Sequence, residues 1–213
     1  MKRFVSACVY ILALGVAAYA IWAYAFLPLG KLMGPEMRAN FLAHRIGIYT
    51  HVFAATTALI LGPFQFSGWL RRRHPWLHRM SGRVYLGVGV GVGGVAALYM
   101  STFAYGGPVA KLGFATLAAA WLYTGFRAYR AIRAGAVAEH RRWIVRNFAL
   151  SLAAVTLRIY LPLSGLSGIP FALAYPIVAW LCWVPNLLVA EWAFARRTAL
   201  GAPVVASKAL APE

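Results

Sequence analysis

The chain has no aspartate, and its 213 residues include only four glutamates: Glu36, Glu139, Glu191 and Glu213. Carboxylate-rich divalent-metal sites, acid–base pairs and hydrolytic triads all need acidic groups brought together. Four dispersed glutamates argue against each of them. Cysteine is nearly absent as well. Cys8 and Cys182 stand in separate apolar runs, which provides neither a disulfide framework nor metal-ligand spacing. There is no Walker motif and no dinucleotide fingerprint, because the glycines of the third apolar run lack the strand that such a fingerprint follows. Charged residues make up 12% of the chain, about half the share usual in a soluble domain.

Apolar residues fill the gap. They are 62% of the chain, the mean hydropathy is +0.69, and too little polar surface remains to cover a water-soluble core. The net charge is nevertheless +17. Such a balance fits nucleic acid, an anionic membrane surface, or orientation signals on a membrane protein, and the positions of the charges choose among these. A membrane helix needs about 20 apolar residues, and six runs qualify: Phe4 to Leu27, Ile46 to Phe66, Val84 to Ala104, Val109 to Ala131, Trp143 to Leu163, and Ile169 to Ala195. Leu29-Gly30, Gly34-Pro35, Gly62-Pro63, His74-Pro75, Gly106-Gly107-Pro108 and Leu161-Pro162 are expected to break or end helices.

The expectation is an all-α, six-helix membrane bundle over residues 1–200, with helices two to five as its core and a short disordered tail over 201–213. Lipoprotein-like Val5-Ser6-Ala7-Cys8 comes too early to be a cleavage box, and the apolar run continues past Ala18-Tyr19-Ala20, so the first helix reads as an uncleaved anchor. With the N-terminus inside, all basic residues but Lys31, Arg38, Arg45, Lys111 and Arg158 fall on one face. This fits the positive-inside rule with both termini cytoplasmic in a bacterial inner membrane, and argues against nucleic acid.

Polar groups that remain within a bilayer are the candidates for chemistry. On the second helix His44 and His51 are seven residues apart and share a face, roughly 10 Å apart in height, too far to ligate one metal together. On the fifth, His140, Asn147, Ser151 and Arg158 follow at intervals of 7, 4 and 7 and lie within about 20° of one line. That stripe reads either as a cavity lining or as a set of ties between helices. Arg158, about one and a half turns from the outer end, either snorkels to the interface or points inward, where it needs a partner: Glu36, backbone carbonyls or a bound anion. His78 and His140 enter from two helices at similar depth, beside helix N-termini and arginines. Two such imidazoles suit a haem iron, with Arg79, Arg83 and Arg141 pairing its propionates.

The runs Leu61-Gly62-Pro63-Phe64-Gln65-Phe66, Arg71 to Tyr85 and His140 to Leu150, followed by Ala153 to Arg158, together with His51, resemble bacterial predicted membrane proteins of the family named domain of unknown function 2306. The similarity covers about residues 45 to 165. It implies that His51, Gln65, His78, Gly82, Arg83, His140, Arg146 and Arg158 occupy the family's recurring polar positions, and it brings no mechanism. The layout is also loosely similar to transmembrane b-type cytochromes. That analogy implies at most one bis-histidine haem, between His78 and His140, with Met100 as a second ligand for any outer haem on His51. Three functions follow as expectations: a haem b or quinone-linked electron carrier, a binding or transport module for an anionic lipid or small organic acid using the stripe with His51 opposite, and a ligand-free scaffold.

Overall fold

Each long apolar run becomes a helix, because a backbone in hydrocarbon has to satisfy its own N–H and C=O groups. A computed structural model describes the backbone of residues 2–201 and the side chains of residues 7–196. The topology signals Lys2, Arg3, Arg197 and Lys208, and the tail beyond residue 201, lie outside the described side chains. Among the described residues the fold is all helical, with no strand. Six helical spans are long and apolar enough to cross a bilayer: Ala7–Ala25, Arg45–Gln65, Pro75–Ser101, Gly107–Arg133, Val137–Leu166 and Phe171–Arg196.

Consecutive spans alternate in direction. Spans two, four and six therefore finish at one end, called here the basic end for its arginines, and begin at the opposite, far end. Span two packs on spans one and three, span four on three, five and six, and span five on six. Ile11, Ile46, Val95, Leu112, Leu173 and Leu188 all stand exposed. A soluble protein would not present so extensive an apolar surface, and here it is the face turned to lipid.

Several helix ends differ from the sequence expectation. Span three starts at Pro75 rather than Val84, and span five at Val137 rather than Trp143. Both begin with amphipathic, arginine-rich turns that extend past the hydrocarbon, where hydropathy alone no longer follows a helix. Gly62-Pro63 and Leu161-Pro162 do not end their helices. Pro63 and Pro162 both lie inside them, because membrane helices tolerate proline where neighbours supply substitute partners. The Tyr10 hydroxyl donates to the Pro63 carbonyl at 2.6 Å, tying span one to span two there. The Gly106-Gly107-Pro108 break does form, with Gly106 at φ +88°, which suits glycine, and Pro108 in the first turn of span four.

The glycines of span three divide between two roles. Tyr85–Val92 is π-helical, a widened turn frequent at functional sites. Within it Gly89 sits against span two, where a Cβ would lie 2.9 Å from the Ala58 Cβ and 3.1 Å from its backbone. A Cβ at Gly87 would meet nothing within 4 Å. A short helix, Pro35–Ala43, lies outside the six spans at the far end.

Candidate functional site

The far half of the bundle holds a cavity of about 240 Å³. Its walls are mostly apolar, from Ile48, Val52, Ala55, Leu59, Leu117, Leu150 and Leu157, and all six spans line it. Polar groups reach it at few points, chiefly His51, Ser101, Ser151 and Arg158, with Tyr24, Tyr175 and Trp121 adding aromatic faces. Met37, Asn40 and Phe41 of the short far-end helix also line it, and the Asn40 side-chain amide donates to the Phe103 carbonyl at 3.3 Å.

His51 is fixed through one ring nitrogen. Its Nδ1 lies 3.0 Å from the Gly93 carbonyl oxygen. A carbonyl can only accept, so Nδ1 carries the hydrogen, and in the neutral ring Nε2 is left as an acceptor. His44 faces the same neighbour but is held differently. Its ring stacks on Phe103 with centroids 3.5 Å apart, and its Nδ1 lies 2.9 Å from the Tyr99 hydroxyl.

Among the described residues Arg158 donates once, from Nη1 to the Ala154 carbonyl at 3.1 Å, and its guanidinium stands 5.6 Å from the Tyr19 ring. Among the described residues no carboxylate pairs with it. Glu139 and Glu191 are engaged elsewhere, and Glu36 is exposed on the short far-end helix. The remaining N–H groups of Arg158, at the wall of a mostly apolar cavity, suit an anion's oxygen.

The polar stripe of span five divides at a break between Ser151 and Ala153. Ser151 and Arg158 line the cavity, whereas His140 and Asn147 do not. Asn147 is fully buried beneath it. Its Oδ1 accepts from the Tyr85 hydroxyl at 2.6 Å, and its Nδ2 donates to the Trp121 carbonyl at 2.7 Å and the Thr124 hydroxyl at 2.9 Å. Trp121 Nε1 donates to Ser151 Oγ at 2.9 Å, and Tyr85 lies 3.3 Å from that oxygen. Spans three, four and five are therefore joined by a buried network in which Asn147 uses all its hydrogen-bonding groups. Fully satisfied buried networks of this kind rigidify a core. The sequence offered no route to Tyr85 or Trp121 as its partners, because aromatic residues of apolar runs read as packing.

The remaining candidates gather at the basic end. His140 Nδ1 lies 2.8 Å from the Ala128 carbonyl, which leaves Nε2 as the acceptor. The buried Nδ1 of His78 has no hydrogen-bond partner among the described residues. Neither His78 nor His140 lines the central cavity, and Met100 lines it with His51. Arg79, Arg83 and Arg141 are exposed, and among the described residues Arg83 reaches only the Met80 sulfur, at 3.6 Å. Gln65 is buried and donates from Nε2 to Ser81 Oγ at 3.0 Å, tying span two to span three. Arg146 is engaged with Glu191 of span six through both carboxylate oxygens, and its guanidinium lies over the Trp143 and Phe194 rings. Glu139 pairs with Arg127 at 3.0 Å and accepts from Trp143 Nε1 at 3.0 Å. Sequence spacing did not find these ion pairs, since each joins residues on different spans. Among the described residues no group of three or more His, Cys, Asp or Glu is placed to hold a metal.

The family model described as "Predicted membrane protein (DUF2306)" matches residues 48–194. The chain belongs to this family. The matched stretch runs from span two into span six and includes His51, the Asn147 network and Arg158. No curated protein and no solved structure matches the chain.

Proposed function

We propose that this family member is a membrane-embedded binding module for a small organic acid with an apolar body, held in the far-end cavity. The observation that carries this reading is Arg158, a guanidinium at the wall of a mostly apolar cavity with no carboxylate partner among the described residues. An unpaired cation in a low-dielectric site is costly, and a ligand carboxylate offsets that cost. The apolar walls would take the ligand's body, and neutral His51 would accept from a hydroxyl on it through Nε2. A quinone would use the same walls but supplies no negative charge, so it accounts for Arg158 less well. A ligand-free scaffold leaves Arg158 without a role.

The orientation that best fits the arginine distribution puts the basic end in the cytoplasm of a bacterial-type cell, with the cavity opening on the opposite side. Photoaffinity labelling tests the site itself. A medium-chain carboxylic acid carrying a diazirine at its apolar end is expected to label Ala55, Leu59, Leu150 or Leu157. Labelling confined to lipid-facing positions such as Val95 and Leu112 would refute the cavity as the site.

A second reading rests on a separate observation. His140 donates its Nδ1 hydrogen to a backbone carbonyl, the arrangement that orients metal-ligating histidines, and the Nδ1 of His78 is unpartnered. These two residues would hold a b-type haem between spans three and five, with Arg79, Arg83 and Arg141 available to its propionates. When bound, haem supplies one-electron redox chemistry. The protein purified from haem-supplemented cells would then show a reduced-minus-oxidised haem spectrum that His140→Ala abolishes. A haem-free preparation would end this reading.

A further inference from the structure

A second recess, separate from the central cavity, opens on the bilayer-facing surface between spans two and three, with Leu122 of span four in its wall. Its volume is about 910 Å³. At the far end its mouth carries His44 and Arg45. Its floor is open because Gly87 and Gly91 lack side chains. A Cβ at Gly87 would meet nothing within 4 Å, and one at Gly91 would meet only the Leu86 carbonyl, at 3.3 Å.

The recess is deep. It runs along span three from Tyr99, near the far end, to Gly87. Twelve helical residues separate the two, on the order of 18 Å of rise. Half of a roughly 30 Å hydrocarbon core is about 15 Å. Gly93 packs against Ala54 and Ala55, at the middle of span two, so the recess extends from the headgroup level to somewhat past the bilayer middle.

Charge selects the occupant. Among the described residues Arg45 is exposed and has no ion-pair partner, and Glu36 is the only acid at this end. A second copy seated here would bring further basic surface, since Lys31, Arg38 and Lys111 share this end. A phospholipid phosphate supplies the anion that the chain lacks. We infer that this recess binds one acyl chain of an anionic phospholipid from the far-end leaflet, with the headgroup phosphate on Arg45.

This inference does not rest on the central-cavity reading. Native mass spectrometry can test it on the full chain, released from nanodiscs holding equal phosphatidylglycerol and phosphatidylcholine with identical acyl chains. The wild type is expected to retain phosphatidylglycerol about fivefold over phosphatidylcholine. Arg45→Gln is expected to remove that preference. Gly87→Leu, which fills the recess, is expected to lower retention of both lipids. Carboxylate binding in the central cavity should be unchanged in both variants. A wild type without preference, a preference that survives Arg45→Gln, or a dimer that forms in place of lipid retention would overturn the inference. Arg45 is exposed, so Arg45→Gln still tests the headgroup contact if Gly87→Leu fails to fold.

Discussion

Arg158→Gln is expected to weaken binding of a medium-chain carboxylate by about 2–4 kcal/mol, roughly 30- to 900-fold in Kd. Glutamine keeps a hydrogen-bond donor and much of the length but removes the charge. The loss is large because the guanidinium faces a mostly apolar cavity, where water screens little and Ala154 takes only one of its N–H groups. The fold should survive, since Arg158 joins no ion pair or buried network among the described residues. Equilibrium binding to the purified protein gives Kd for the variant and the wild type. Kd within about twofold of wild type would show that the charge does not bind the ligand.

Gly89→Leu is expected to destabilise the bundle by about 3 kcal/mol, toward the upper end of overpacking costs. The added Cβ would fall 2.9 Å from the Ala58 Cβ and 3.1 Å from its backbone nitrogen, so the two spans have to separate. Two residues earlier in the same π-helical segment, Gly87→Leu is expected to change stability by less than about 0.5 kcal/mol, the usual range for surface substitutions. Thermal unfolding midpoints of the two variants in one detergent separate these outcomes. Equal midpoints would show that spans two and three are not in close contact at Gly89.

The six spans were legible because each is a long apolar run, and the Gly106-Gly107-Pro108 break because glycine there has to adopt positive φ. The starts at Pro75 and Val137 were not legible, since the first turns of those helices carry charge and leave the hydrocarbon. Pro63 and Pro162 misled for a related reason. Proline breaks helices in water, but helices packed in a membrane bundle tolerate it. Within the site, intervals of 7, 4 and 7 correctly put Ser151 and Arg158 on one cavity-lining face. The same intervals left open whether the stripe lines a cavity or ties helices together, and Asn147 proves to be a tie, bonded to Tyr85, Trp121 and Thr124 beneath the cavity. Periodicity along one helix tells which residues share a face. It does not tell which neighbouring span meets that face at each height, and that register decides between a tie and a lining.

The scarcity of acid in the sequence proves to be the most informative feature of the site. Of the three glutamates among the described side chains, two are paired, with Arg127 and Arg146 at the basic end. Arg158 faces the cavity without one. Octanoate and octanamide differ in charge but hardly in size, so their equilibrium binding to the wild-type protein isolates what the guanidinium contributes. Octanoate is expected to bind more tightly by at least about tenfold, or ~1.4 kcal/mol. Equal affinity for the two, or tighter binding of the amide, would contradict a carboxylate site at Arg158.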